Sequence, residues 1–314
     1  MRVLLLLSVA VAFLGVIPAR ADQAPGKVAV EYIDDDAVLK GFTEKLGALA
    51  KAGKCLKPAK LKALMAADKT AALKSAKPND KPLSPEELAA SVKASVFVVG
   101  SVLDEAGEYV DGRMATAWVL AADGVLVTNW HVFDDIGDKE HYGATNAAGD
   151  VFPITGVLAR NKAADIAIFR IAAKGLTPLP VSATPAAVGS WTGVLGHPGD
   201  RYFSFTQGHV TRYTKYKDDD DTLTRWMAID ADYAYGSSGS PVVDRFGSVV
   251  GMAALTENID YPEDGDKAAK EVARKRMVKL RKRADDKPKA VPSSLQMVVK
   301  LTVPAQELRR VMGE

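Results

Sequence analysis

From about residue 94 onward the apolar positions fall into short runs broken by Gly, Asp and Pro. "SVFVVGSVL", "TAWVLAADGVLVTNW", "VFPITGVLA", "DIAIFRI", "SWTGVLG", "FSFTQGHVTRY", "LTRWMAIDA", "SPVVD" and "GSVVGMAAL" are short β-rich runs separated by Gly, Asp and Pro turns. Such runs, with turn residues between them and no helical segments, predict an all-β sandwich or barrel. "LAADGVLV" sets Asp-Gly between two apolar runs, the pattern of a two-residue hairpin, and "VVDRFGSVVGM" reads as a second hairpin.

Before residue 94 the spacing is helical. Leu39, Phe42, Leu46 and Leu49 recur at three and four residues within an Ala/Lys-rich stretch over 22–82, which predicts short amphipathic helices. "KPNDKP" at 77–82 reads as a linker. It is followed by Ser84, Pro85 and Glu87, a capping-box start to another short helix. The first residues differ again: Met1-Arg2, an apolar run from Val3 to Ile17, then Pro18-Ala19-Arg20-Ala21. A charged start, an apolar centre shorter than a membrane span and an Ala-x-Ala end predict a secretory signal peptide over 1–21. At the other end the β pattern is interrupted by a charged insertion, 261–292, read as a solvated helix. It resumes at "LQMVVKLTVP" and closes with a helix in "PAQELRRVMGE".

Composition narrows the classes. Of 314 residues 47% are apolar and 25% charged, and the formal net charge is +2. That balance suits a globular protein and gives no general attraction for nucleic acid or for anionic membranes. After leader removal no later run is long enough to span a bilayer. The single cysteine, Cys55, excludes an internal disulfide framework, so the core must suffice by itself.

The chemistry is concentrated in "DADYAYGSSGSPVVD", where Ser237, Ser238 and Ser240 stand among glycines. A serine hydroxyl attacks poorly at neutral pH without an imidazole base, and the base needs a group that holds its tautomer. Of four histidines only His131 directly follows a strong strand, "GVLVTNWH", and Asp165 stands just before the strand "DIAIFRI". His197 in "GHPGD" reads as a turn residue, and His141 and His209 have no evident partner. No His, Cys and Asp spacing resembles a metal site. "DDDD" at 218–221 lacks the spaced ligands of a calcium loop and reads as a hairpin tip.

"TNWHVF", "ADIAIFRI" and "GSSGSP" follow one another in the order His, Asp, Ser, 34 and 73 residues apart. This resembles the trypsin-like, chymotrypsin-fold serine proteases. It is most similar to their bacterial disulfide-free branch, which includes the HtrA/DegP proteases and the glutamyl endopeptidases. In that branch "GNSGGP" or "GNSGSP" surrounds the nucleophile, and "GHPGDRYFSFTQGHV" resembles a further stretch. The resemblance covers roughly 84–312, within an 83–314 protease domain, and implies a double β-barrel with an N-terminal helical segment and a C-terminal helix. It implies Ser238 as nucleophile, His131 as base, Asp165 as orienting acid, and the Gly236 and Ser238 amides as the oxyanion hole. No cofactor is implied, and the partners are protein or peptide substrates.

Other positions follow from the same likeness. Ser237 stands where cleavage-activated members carry an acid, so 22–82 is not expected to be an activation peptide of that kind. Ser240 is expected to be structural. Asp232, six residues before Ser238, matches the base of the pocket for P1, the substrate residue that donates the scissile carbonyl. An acid there implies cleavage after Arg or Lys. Ala253, Ala254 and Leu255 would form the pocket wall, and glutamyl-specific relatives carry a histidine at or near Ala253, which argues against Glu specificity here. Little chain follows the protease domain, so PDZ-driven regulation is not expected. A catalytically silent protein of this fold, binding peptides or a partner, is the alternative the sequence leaves open.

Overall fold

The computed structural model describes residues 30–217, 221–260 and 295–314. The leader, the Asp218–Asp220 part of the acidic tip and the charged insertion lie outside the described residues.

Twelve strands close into two antiparallel barrels. The first holds β1 (Val96–Glu105), β2 (Glu108–Ala121), β3 (Val125–Thr128), β4 (Glu140–Thr145), β5 (Val151–Asn161) and β6 (Ile166–Ile171), in the order β1-β2-β3-β6-β5-β4. The second holds β7 (Trp191–Gly196), β8 (Ser204–Lys217), β9 (Leu223–Ile229), β10 (Pro241–Val243), β11 (Val249–Asp260) and β12 (Leu295–Pro304), in the order β10-β11-β12-β9-β8-β7. This is the chymotrypsin-like double barrel expected from the resemblance.

The unbroken apolar runs have a direct cause. On β1, Phe97 and Val99 fill the first barrel with Val119, Leu126 and Phe169. Their neighbours Val96 and Val98 face a layer shared with Leu195, Trp226 and Leu301 of the second barrel. A strand with both faces buried loses the polar alternation of a half-exposed one. A third cluster, with Val194, Val210, Met227 and Val242, fills the second barrel.

The hairpins differ in one detail. Val119 pairs with Leu126 and Ala121 with Val125 across a register shift, so Ala122, Asp123 and Gly124 make a three-residue turn instead of two. Arg170 Nη1 donates to both Asp123 O and Asp123 Oδ2, at 2.9 and 2.7 Å, so Asp123 is held by a neighbouring strand. In the second hairpin Asp244 Oδ1 accepts from Phe246 N and Ser248 N and closes the turn between β10 and β11.

The helices before residue 94 pack on the barrels. In α1 (Asp35–Lys51) Phe42 and Leu46 are buried with Val102 of β1. In α2 (Pro58–Leu64) Leu61 joins the first-barrel cluster. The capping box of α3 (Pro85–Lys93) forms as its sequence predicts, with Ser84 Oγ accepting from Glu87 N and Glu87 Oε2 from Ser84 N. "KPNDKP" is no free linker. Residues 69–83 run as a strap whose backbone bonds Arg160 of β5, then Val311 and Met312 of the C-terminal helix region, then Arg245 and Phe246 in the β10–β11 turn. An irregular segment bonded at intervals along its length gains pairing that a Pro- and Lys-rich composition alone does not suggest. The C-terminal helix, Ala305–Val311, buries Leu308 and Val311 in the layer between the barrels.

Candidate active site

Three backbone features bring the predicted residues together. Asn129 ends β3 in extended geometry, and Trp130–Phe133 then turn into a short 3-10 helix that lifts His131 from the strand end. Asp165 caps the turn into β6, which pairs with β3 through Thr128 and Ala167. It sits at φ 57°, left-handed backbone that aspartate tolerates better than most side chains. Asn129 Nδ2 donates to Asp165 O at 3.0 Å and Asp165 N to Lys162 O at 3.1 Å, so the turn is held from both sides.

His131 joins the other two residues. Asp165 Oδ1 accepts from His131 N at 3.0 Å, and Asp165 Oδ2 lies 2.8 Å from His131 Nδ1. Asp165 is 5% exposed, so its charge is used on these bonds and little of it is screened by water. A carboxylate against Nδ1 keeps that nitrogen protonated and leaves Nε2 as the acceptor. Ser238 Oγ stands 2.8 Å from Nε2, where its hydroxyl donates. One imidazole thus faces a buried carboxylate on one side and a half-buried hydroxyl on the other.

The turn that carries Ser238 is held across the barrels. Thr116 of β2 donates N–H to Ser238 O at 2.8 Å and its hydroxyl to Gly236 O at 2.9 Å, while Thr128 Oγ1 donates to Thr116 O at 2.7 Å. Gly236 lies at φ 84° and Gly239 at φ 90°. A Cβ on Gly236 would collide with His197 O, and one on Gly239 with Thr116 O, so neither position accepts a side chain. With both carbonyls turned toward Thr116, the N–H groups of Gly236 and Ser238 have no protein acceptor among the described residues. Two uncommitted amides beside a hydroxyl are what a developing oxyanion requires.

The remaining predicted positions divide. Ser237 and Ser240 are buried, Ser237 N donates to Ala234 O, and Ser240 Oγ packs against Gly196. Ala253 and Ala254 are buried and Leu255 half-buried on β11, with Gly239 N donating to Ala253 O and Ala253 N to Ser240 O. This strand therefore runs directly beside the turn that carries Ser238. Asp232 points outward: its side chain is 89% exposed and lies 3.7 Å from the Lys300 ammonium. Asp230 is the bracing acid of the loop, accepting from His209 N at 2.5 Å. His197 is wholly buried between Tyr202 and Phe203, its Nδ1 accepts from Phe203 N at 3.0 Å, and burial pushes its pKa down to about 4.

Sequence reasoning missed two supporting groups. Arg113 Nη1 and Nη2 donate to Asp134 O and Asp135 O, just past the His131 helix, and buried Glu140 lies 3.6 Å from Arg113 Nε. Thr116 is the other. Neither stands in a motif, because an ordinary strand position acquires its partner only when a distant turn folds onto it. No cluster of three or more His, Cys, Asp or Glu able to hold a metal occurs among the described residues.

Residues 115–252 match the trypsin-like peptidase domain family. The bovine mitochondrial serine protease HTRA2 is 29% identical over 168 residues, 51% of this chain and 36% of that protein. Serine protease Rv3671c of Mycobacterium tuberculosis is 28% identical over 182 residues, 56% of this chain and 43% of that protein. Over this segment the chain is similar to trypsin-like serine proteases of the HtrA type. The crystal structure of Rv3671c protease in its inactive form shares the fold at TM-score 0.50 and 21% identity, covering 76% of this chain and 98% of that one. A DegP-like protein of Chlamydia pneumoniae, named as a probable periplasmic serine endoprotease, is 28% identical over 44% of this chain. The matches span less than half the length of these curated relatives.

Proposed function

We propose that this protease is an exported serine endopeptidase that works through Ser238, His131 and Asp165. The carrying observation is the single imidazole placed 2.8 Å from both Asp165 Oδ2 and Ser238 Oγ. Ser238 Oγ attacks the scissile carbonyl carbon while its proton passes to His131 Nε2. Asp165 stabilises the imidazolium, and the Gly236 and Ser238 amides receive the oxyanion. His131 then gives the proton to the leaving amine, and water hydrolyses the acyl-enzyme by the reverse proton path. Export is supported by the leader pattern over 1–21 and by the periplasmic designation of the Chlamydia pneumoniae relative. No described helix is long and apolar enough to cross a membrane.

A fluorophosphonate probe tests the chemistry. Wild type is expected to be labelled at Ser238, with labelling and peptide turnover lost in Ser238→Ala and reduced by about 10⁴-fold or more in His131→Ala. An unlabelled wild type that still binds peptide would favour a silent binding protein instead.

A further inference from the structure

A buried cation lies beside the turn that carries Ser238. Lys300 on β12 stands opposite Thr256 of β11 and Ile229 of β9. Directly opposed residues share a face, so its side chain enters the mouth of the second barrel together with that of Ile229, a member of the barrel core. Only 11% of the side chain is exposed. The ammonium donates to Tyr233 O at 2.5 Å and lies 5.4 Å from the centre of the Tyr233 ring. Tyr233 is itself wedged between the two strands, its hydroxyl 3.0 and 2.7 Å from the carbonyl oxygens of Leu255 and Leu301.

The counter-charge is poorly matched to this burial. Among the described residues the carboxylate paired with Lys300 belongs to Asp232, 3.7 Å away and 89% exposed. An ion pair whose acid stands in water contributes little. A desolvated ammonium demands more than that. A second anion arriving from the cleft would meet a cation already stripped of water and held in place.

The nucleophile's geometry says where such an anion would come from. With the acyl carbon at Ser238 Oγ and its oxygen on the Gly236 and Ser238 amides, the P1 side chain leaves from the adjacent carbon. The β11 strip Ala253–Leu255, bonded to Gly239 and Ser240, borders that position. Ala253 and Ala254 carry small side chains there, and Lys300 follows on the adjoining strand β12, next to Leu301, which opposes Leu255. We propose that Lys300 receives the side-chain carboxylate of an acidic P1 residue, so that this protease cleaves after Glu or Asp. The assignment rests on Ser238 being the nucleophile. It replaces the preference for Arg or Lys implied by Asp232, because the same buried cation repels a basic side chain. It also supplies from β12 the positive charge that Ala253 on β11 lacks.

Quenched peptides identical except for Glu, Gln or Arg at P1 test it, with fluorophosphonate titration of Ser238 run on every variant. Wild type is expected to cleave the Glu peptide at least about tenfold faster than the Gln peptide, the effect of one charge-assisted contact. In Lys300→Met the Glu-to-Gln ratio should fall to about one. In Asp232→Asn it should be retained or rise, since a competing anion is gone. Equal cleavage of Glu and Gln by wild type overturns the proposal without needing any variant. Preferred cleavage after Arg, lost in Asp232→Asn, overturns it in favour of Asp232 as the reader. Failure of Ser238 to take the probe would instead sink the underlying enzymatic reading.

Discussion

His197 shows how one residue can tie the stability of this protein to pH. Burial lowers its pKa from 6.5 to about 4, and its Nδ1 must stay unprotonated to accept from Phe203 N. Below pH 6.5 the unfolded chain takes up a proton that the folded chain refuses, so stability is full above that pH and falls as pH drops toward 4. A shift of this size corresponds to about 3 kcal/mol lost across the window. His197→Asn keeps an acceptor for Phe203 N and removes the titration. Urea unfolding between pH 7 and 4 should therefore show a shallower decline in the variant, and parallel curves would refute the assignment. From sequence, His197 read as a turn residue in "GHPGD"; its burial came from the aromatic pair Tyr202 and Phe203 folding over it.

Among the elements, α1 was legible in the sequence and its role was not. The spacing of Phe42 and Leu46 predicts an amphipathic helix, but its partner, Val102, lies sixty residues away on β1. Asp35 at the helix start accepts from Tyr202 N at 2.9 Å, which links α1 to the segment beneath Gly236. Phe42 is 2% exposed, and Phe42→Ala should cost about 3–5 kcal/mol of unfolding free energy. An unchanged denaturation midpoint would mean that α1 is merely appended. The strap over 69–83 teaches a similar lesson. Proline and lysine forecast a solvated linker, and bonds to both barrels and the C-terminal helix region contradict that forecast.

At the scale of the whole molecule, the candidate site exists because two barrels meet. His131 and Asp165 come from the first barrel and Ser238 from the second. Thr116 pins the nucleophile turn from across the divide, and nothing in "MATAWVL" marks it for that task. Thr116→Val preserves shape and removes the hydroxyl donor to Gly236 O. Leaving that buried carbonyl unpaired should cost about 1–3 kcal/mol. The Gly236 turn should loosen, and fluorophosphonate labelling of Ser238 should slow on the order of tenfold to a hundredfold. A labelling rate equal to wild type would show that the turn holds its shape without the pin.

Much was decided by local chemistry alone. Short apolar runs specified strands, Ser84 and Glu87 specified a helix start, and three motifs in order pointed to a protease fold. Each run, cap and motif is legible because it depends on neighbours a few residues apart, and the order of the motifs is read directly along the chain. What the tertiary structure decided depends on groups far apart in the chain. Barrel closure set the 2.8 Å spacings at His131, turned Asp232 out to water, and buried Lys300 beside Tyr233. Burial and charge compensation are properties of the surrounding fold, and no single stretch of the chain carries them.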